Sequence, residues 1–341
     1  MAELTASVDY LRFIMNYAIR AGLDPDRIYR KAGFDSTVLK QSGGRISVDR
    51  FSAVWDALEE VNPDPDFGLH LGETVFNFPG HILFLVMLNA PTIREAIGKF
   101  HRYFNLMADF TSPGFSAGND LATLSIRFHT LQFVATRQVN EGILSAYAAV
   151  LKRISENRII FEEVSFVHPQ PADISGHNRI FGAPLLFGQP ENRLVFKSEY
   201  LSLPVLLSDR EILETLERMA GKLQERLYTL GPWSDRVSRI LIDLKEGTKP
   251  EIGTVARKLA VSARNLQNRL REEGTTYQKL ADEIRKEKAV GFLENDNIPI
   301  SEIGFLLGYA EQSVFTRAFK RWVGLTPGQY RVRLKQDRNP C

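Results

Sequence analysis

The sequence predicts two domains: an α+β first domain, helices with a small, mostly antiparallel sheet, followed by an all-α second domain. Three observations carry this. The chain has 341 residues, enough for two ordinary hydrophobic cores. Before residue 208, apolar residues at helical spacing alternate with short segments of period two. After residue 233, one pattern occurs twice: a short helix, a tight turn, and a second helix with an apolar inner face.

The first elements are helical. Tyr10, Phe13, Ile14, Tyr17 and Ala18 recur at helical spacing, with Gly22 as a stop. A second amphipathic run, Val48 to Val61, ends at Asn62-Pro63. The apolar segment 80–89 stops before Pro91, and Thr92 caps a run carrying Ile93, Ala96, Ile97, Phe100 and Phe104. Residues 109–117 and 120–129 then flank Gly118-Asn119-Asp120, and the alternation of Leu121 to Phe128 predicts a hairpin. Residues 132–155 return to helix, and Val164–His168 and Arg193–Phe196 are strand candidates. From Ser208 to Leu230 the chain is helical and charged, with Ile212, Leu216, Met219 and Leu223 spaced like a coiled-coil seam. The alternative is a linker helix packed on its own domain. Gly231-Pro232 breaks it. The expected organisation is therefore 1–207, a linker helix 208–233, and a second domain 234–341.

Bulk properties narrow the function classes. The 44% apolar and 25% charged fractions are those of a globular protein. No run of 18 apolar residues occurs, so no membrane span is expected; Ile82 to Leu88 reads as buried helix. The first residues lack a basic stretch followed by an apolar one, so no secretion is expected. The single cysteine, Cys341, leaves no intrachain disulfide, Cys-based zinc site or buried Cys nucleophile, and a reducing cytoplasm is the expected home. The net charge of +2 is uneven. From Ser234 onward Lys and Arg exceed Asp and Glu by six, whereas the part before it is net acidic by four. A basic end on a mildly acidic remainder is expected where only that end meets phosphates.

The repeat carries the chemistry. Ile252, Val255 and Leu259 correspond to Ile300, Ile303 and Leu307. After one inserted residue, Leu266 and Leu270 correspond to Phe315 and Phe319, and Gly274 falls near Gly324. Each copy has helix-turn-helix geometry, so the second domain is an all-α double helix-turn-helix. On the first outer helix Arg264, Gln267, Asn268 and Arg271 form one stripe opposite Leu266 and Leu270, with Asn265 beside it. On the second, Gln312, Ser313, Thr316, Arg317 and Lys320 form the matching stripe. Arg pairs bidentately with guanine, Gln or Asn with adenine, and Thr meets the thymine methyl. Acidic residues are absent from both stripes; Glu272, Glu273 and Glu311 lie at helix ends. Tyr277 to Asn295 predicts a connecting helix of roughly 28 Å, with Leu280, Ile284, Ala289 and Leu293 inward. Adjacent major-groove faces are centred about 34 Å apart. Thr326-Pro327 starts a closing helix.

Over Asp235 to Arg333 the chain resembles the AraC/XylS family of bacterial transcription regulators. The runs SARNLQNRLREEGTTYQKLADEIRKEKAVGFL and ISEIGFLLGYAEQSVFTRAFKRWVGLTPGQYR carry the resemblance. It implies base-facing roles for Arg264, Gln267 and Asn268 in one reader and Gln312, Ser313 and Arg317 in the other. Asn268 stands where an arginine is frequent, and Gly304 where a small alanine is usual. The stretch Arg179 to Val205, with weaker similarity at NAPTIREAIGKFHRYF, resembles the effector-binding and dimerisation module of one branch of the family. The resemblance implies promoter DNA and RNA polymerase as partners, an unidentified small-molecule effector, a homodimer, and activation of transcription.

Two other function classes fit the sequence less well. An enzyme would need convergent titratable groups. Yet His70, His81, His101, His129, His168 and His177 include no pair at metal-ligand helical spacing, and no phosphate loop or nucleophile elbow occurs. No catalytic residue, metal or cofactor is therefore predicted, although His101 beside Arg102 and Tyr103 could line a pocket or ligate a cofactor. Asp64-Pro65-Asp66 reads as a turn rather than a carboxylate pair. A ligand-independent architectural DNA-binding protein would not need so large a first domain. There Phe76, Phe78, Phe84, Phe100, Tyr103 and Phe104 either fill the core or line an apolar pocket, with Arg94, Arg102 or Arg127 as an anion anchor.

Overall fold

The computed structural model describes residues 4–40, 43–77, 81–128, 136–229, 231–244, 247–293 and 298–338. Contacts divide it into two units, Leu4–Gln224 and Glu225–Cys341. His129, Phe78, Leu230, Asn295 and Cys341 lie outside the described residues.

The first unit opens with two strands that the sequence pattern did not predict. β1 (Thr5–Ser7) pairs antiparallel with β2 (Arg45–Ser47), three residues each, too short for alternation to register. Each runs directly into a helix: α1 (Val8–Arg20), capped by the Ser7 hydroxyl on the Tyr10 amide at 3.1 Å, and α3 (Val48–Val61). α1 stops at Ala21, and Gly22 takes φ +86°. Between them α2 (Pro25–Lys31) has Asp24 as cap and proline in its first turn. Arg45 and Asp109 pin β1 from below: the guanidinium donates to Thr5 Oγ1 (2.7 Å) and lies 3.2 Å from the Asp109 carboxylate, which also accepts from the Thr5 hydroxyl.

α4 (Phe67–Glu73) lies against α7 (Arg137–Ile154) through glycines on both helices. A Cβ at Gly68 would meet the Gln138 carbonyl at 2.0 Å, and one at Gly72 the Gly142 carbonyl at 2.4 Å. α5 (Ile82–Leu88) and α6 (Ile93–Tyr103) follow, the latter capped by Thr92 on Glu95 N. The hairpin is β3 (Thr111–Ala117) with β4 (Leu121–Phe128), in which Ala122, Leu124 and Ile126 point inward and are buried. It belongs to a five-stranded sheet ordered β3-β4-β7-β5-β6, with β5 (Phe161–Ser165), β6 (Leu185–Leu186) and β7 (Arg193–Lys197). All pairs are antiparallel except β5 with β6. α8 (Ser175–Phe181) ends at Gly182 in the left-handed region. One apolar core runs from Ala6 to Ala220.

α9 (Arg210–Thr229) divides its apolar residues between two faces. Leu213 and Ala220 enter the core, with Leu216 packed at its edge. Ile212, Met219 and Leu223 are 50%, 53% and 41% exposed. The helix thus docks on a stripe next to the one the heptad spacing picks out.

The second unit has seven helices among its described residues: α10 (Trp233–Ile242), α11 (Ile252–Lys258), α12 (Ala263–Glu272), α13 (Tyr277–Leu293), α14 (Ile300–Leu306), α15 (Gln312–Val323) and α16 (Pro327–Arg338). They form two cores. Val237, Ile240, Val255, Leu259, Leu266 and Leu270 fill the first. Ile303, Leu307, Phe315 and Phe319 fill the second. α13 belongs to both, giving Leu280, Ala281 and Ile284 to one and Ala289, Phe292 and Leu293 to the other. Its 17 residues make a rod of about 25 Å. The fold is α+β followed by all-α, and no described helix is long and apolar enough to cross a membrane.

Candidate nucleic-acid interface and ligand cavity

The turns of the two helix-turn-helix copies are built alike, bond for bond. In the first turn Ala260 takes φ +55°, its amide bonding to Arg257 O and that of Val261 to Ala256 O. In the second, Gly308 takes φ +76°, with the same bonds from Gly308 to Phe305 O and from Tyr309 to Gly304 O. The left-handed residue satisfies the last carbonyls of the supporting helix and reverses the chain toward the outer helix. The inserted residue falls after this turn, just before the caps. Ser262 caps α12 through the Asn265 amide (3.1 Å), and Glu311 precedes α15.

Burial sorts each outer helix into two faces. Leu266 and Leu270 are fully buried, while Arg264, Asn265, Gln267, Asn268 and Arg271 are exposed. Phe315 and Phe319 are buried, Gln312, Ser313, Arg317 and Lys320 are exposed, and Thr316 is half-buried. The Thr316 hydroxyl donates to Gln312 O at 3.0 Å, which holds its methyl group outward from its own backbone. Ser313 Oγ lies 3.1 Å from the Glu311 carboxylate, and Arg271 lies 3.5 Å from Asn268 Oδ1. Among the described residues, Arg264, Arg317 and Lys320 form no ion pair. Their charge is uncompensated on the surface, where a phosphate or a base edge is the natural complement.

Other cations near these helices are already engaged. Arg269 pairs with Glu272 at 3.6 Å and lies over the Trp233 ring, and Arg321 pairs with Asp282 at 3.0 Å. The Glu273 carboxylate accepts from the Trp233 and Ser234 amides, 2.7 and 2.8 Å, and so caps α10, which holds its pKa below the usual range. The sequence pattern placed Glu273 at a helix end without showing that it joins two elements, because the partner lies about forty positions earlier.

The first unit encloses an apolar cavity of about 80 Å³. Of the aromatics singled out from the sequence, Phe84, Phe100 and Phe104 line it. Phe76 is exposed and Tyr103 is buried elsewhere, its hydroxyl near Glu217. Arg94, Arg102 and Arg127 do not line the cavity, so no anion anchor stands there. His101 is also absent from its wall; burial pushes its pKa down to about 4.

The structure does bring titratable groups together where no motif announced them. Glu141, fully buried on α7, receives Arg137 at 2.7 Å and His177 Nε2 at 2.7 Å, with His168 Nε2 3.4 Å away. Phe166 and Phe187 pack on both rings. His177 and His168 are 36 and 27 positions from Glu141, too far for any helical spacing to show, and only Arg137 is at i,i+4 to it. Glu141, His168 and His177 are buried while Arg137 is part-exposed, and the cluster ties α7, α8 and the segment after β5 together. Among the described residues no group of three or more His, Cys, Asp or Glu is arranged to hold a metal. Asp64 and Asp66 form successive turns, with the Asp66 amide on Asp64 Oδ1 at 2.9 Å, and pair with His70 and Arg137.

Comparison with known proteins agrees with this construction. Residues 22–205 match the arabinose-binding N-terminal domain of AraC transcription regulators, and residues 255–333 match a helix-turn-helix domain. The ornithine utilization regulator of Pseudomonas aeruginosa is 27% identical over 97% of both chains. The transcriptional regulator VirS of Mycobacterium tuberculosis is 32% identical over 91% of this chain and 92% of its own. The crystal structure of the transcriptional regulator CdpR from Pseudomonas aeruginosa covers 95% of this chain and 98% of its own, at 21% identity and a TM-score of 0.49. The first domain is matched over more than half the chain, and the second is a repeated helix-turn-helix with two cationic outer faces: the chain belongs to the AraC family of helix-turn-helix transcription regulators.

Proposed function

We propose that the chain is a cytoplasmic, sequence-specific transcription activator and not an enzyme. In this reading residues 234–341 bind promoter DNA, 208–233 form a linker helix, and 1–207 take a small-molecule effector and dimerise. The observation that carries the reading is the pair of outer helices, α12 and α15, presenting exposed Arg, Gln, Asn and Ser side chains with uncompensated cations. Arg264, Gln267 and Asn268 read bases in one groove, and Gln312, Ser313 and Arg317 in the next. Asn265, Arg271 and Lys320 hold the flanking backbone, and the Thr316 methyl group meets a thymine methyl. RNA polymerase is the partner that an activator bound beside a promoter would recruit.

The relatives' names speak of ornithine utilization and the domain's of arabinose; what they support here is an effector of small-molecule size. Full-length protein titrated onto its own upstream region tests the reading. Affinity should exceed that for unrelated duplex and fall steeply with salt, because bound cations release counterions. Equal affinity for all duplexes, or no salt dependence, would refute it.

A further inference from the structure

The cavity of the first unit lies among α1, α3, α5, α6, α7 and the β3–β4 hairpin. Among the described residues its lining contains no Asp, Glu, Lys, Arg or His. Phe, Leu, Ile, Val and Met make up most of the described wall, and the described lining residues with a polar side-chain atom are Tyr10, Trp55, Thr111 and Tyr147. Thr111 is committed, its hydroxyl donating to Arg127 O at 2.9 Å. The other three are not. Trp55, 3% exposed, has a buried Nε1 with no hydrogen-bond partner. The Tyr10 and Tyr147 hydroxyls make no hydrogen bond among the described residues, but neither is a fully buried atom, and Tyr10 itself is part-buried. A buried donor is ordinarily paired, so the unpaired indole N–H of Trp55 calls for an acceptor that the described residues do not provide.

Resting on the reading of the first domain as an effector domain, we infer that this cavity takes a compact, neutral, largely apolar molecule bearing a single hydrogen-bond acceptor, such as a monocyclic ketone or phenol. The acceptor receives Trp55 Nε1–H or a tyrosine hydroxyl, and the ring or short chain fills the aromatic wall. An indole nitrogen only donates, whereas the tyrosine hydroxyls can also accept, which admits a phenol as well as a ketone. A carboxylate or ammonium would be buried with no counter-charge, and a sugar would bury several hydroxyls against hydrocarbon. The space of about 80 Å³ is smaller than the engineered cavity of about 150 Å³ that holds benzene. Met87 and Met107 line the wall, and their unbranched side chains can shift to admit a six-membered ring.

The test uses the full chain, with cyclohexanone, p-cresol and acetophenone against L-arabinose and L-ornithine. Thermal unfolding and calorimetric titration read binding, and operator affinity reads its consequence. The neutral ring compounds should raise the unfolding temperature saturably and change operator affinity. Tyr147→Phe removes only a hydroxyl, whereas Trp55→Phe removes a ring together with its N–H; each should weaken the ligand about tenfold if it takes away the donor used, and Trp55→Phe alone should also admit a larger ring. Ala146→Phe and Val75→Phe fill the space from two sides; whichever folds should lose the response while keeping operator binding. If the sugar or the amino acid binds and the ring compounds do not, the ligand class is wrong and the effector reading stands. If neither panel shifts unfolding or operator affinity, the ligand class and the effector reading fall together. Ring compounds that bind equally well to the filled variants would place the site elsewhere and overturn the assignment.

Discussion

Arg317 and Lys320 sit one turn apart on α15, both exposed and, among the described residues, without a carboxylate partner. Their chemistry separates them. A planar guanidinium can grip a guanine edge, whereas an ammonium nearer the end of the groove meets phosphate. Arg317→Ala should cost about 1–3 kcal/mol on the operator and relax preference at one base pair. Lys320→Ala should weaken all sequences alike and reduce the salt slope by about one unit. Single-base operator variants measured at several salt concentrations distinguish the two; full discrimination retained by Arg317→Ala would remove that residue from base reading. Two histidines of the first unit make a second prediction. Burial pushes the pKa of His81 and His101 down to about 4. Both are therefore neutral in the folded chain, and His81 Nδ1 accepts from the Leu83 amide at the start of α5. Their unfolded values lie near 6.5, so below that pH the unfolded chain takes up protons first. Stability should hold above about pH 6.5 and fall as pH drops toward 4, by on the order of 3 kcal/mol per histidine. Urea unfolding between pH 7 and 4.5 should show this, and His101→Phe should flatten the slope; an unchanged slope would place the titrating groups elsewhere.

Among elements, the contrast between two glycine sites follows from what surrounds each. Gly72 on α4 lies against the α7 backbone, where a Cβ would come within 2.4 Å of Gly142 O. Gly304 on α14 would place its Cβ 3.4 Å from Phe315 Cβ, an ordinary contact. Gly72→Ala should therefore destabilise the chain by more than 1 kcal/mol through forced separation of two helices. Gly304→Ala should stabilise it by about 1 kcal/mol through helix propensity. Chemical denaturation of both variants measures the pair, and stabilisation by Gly72→Ala would refute the close approach. α9 offers the complementary case of a face with too little against it. Leu213 and Ala220 are buried and Leu216 packs at the edge of the same core, so α9 docks on its own domain; Ile212, Met219 and Leu223 stay exposed, and a seam between two copies, which we propose, would use those three. Leu223→Glu with Met219→Glu should shift sedimentation of the full chain toward monomer; an unchanged dimer would move the seam to another surface. Long periodic elements were legible from the sequence. The run from Val48 to Val61 is α3 to the residue, and the hairpin alternation is β3–β4. α4 and α8, seven residues each, and the three-residue strands gave no period to detect. The Glu141 cluster, and the cavity wall beyond Phe84, Phe100 and Phe104, were illegible for another reason. Their members come from elements far apart in sequence, and only tertiary packing brings them together. The outer stripes of α12 and α15 were legible because their spacing is local and the buried positions between them are unambiguous.

At the scale of the whole molecule, the uneven charge and the doubled helix-turn-helix belong to the same end of the chain. The excess of six Lys and Arg begins at Ser234, where the all-α unit begins to form its first core. α13 is shared by both cores, so the two outer helices are carried on one rod of about 25 Å rather than on a flexible tether. This makes the central claim one of paired reading: α12 and α15 occupy two successive major grooves on one face of the duplex. Guanine methylation protection on the operator tests it most directly. The wild-type chain should protect two segments whose centres lie about 10–10.5 base pairs apart. Arg264→Ala should expose only one of them, and Arg317→Ala only the other. A single protected segment, or the same segment lost in both variants, would contradict the account.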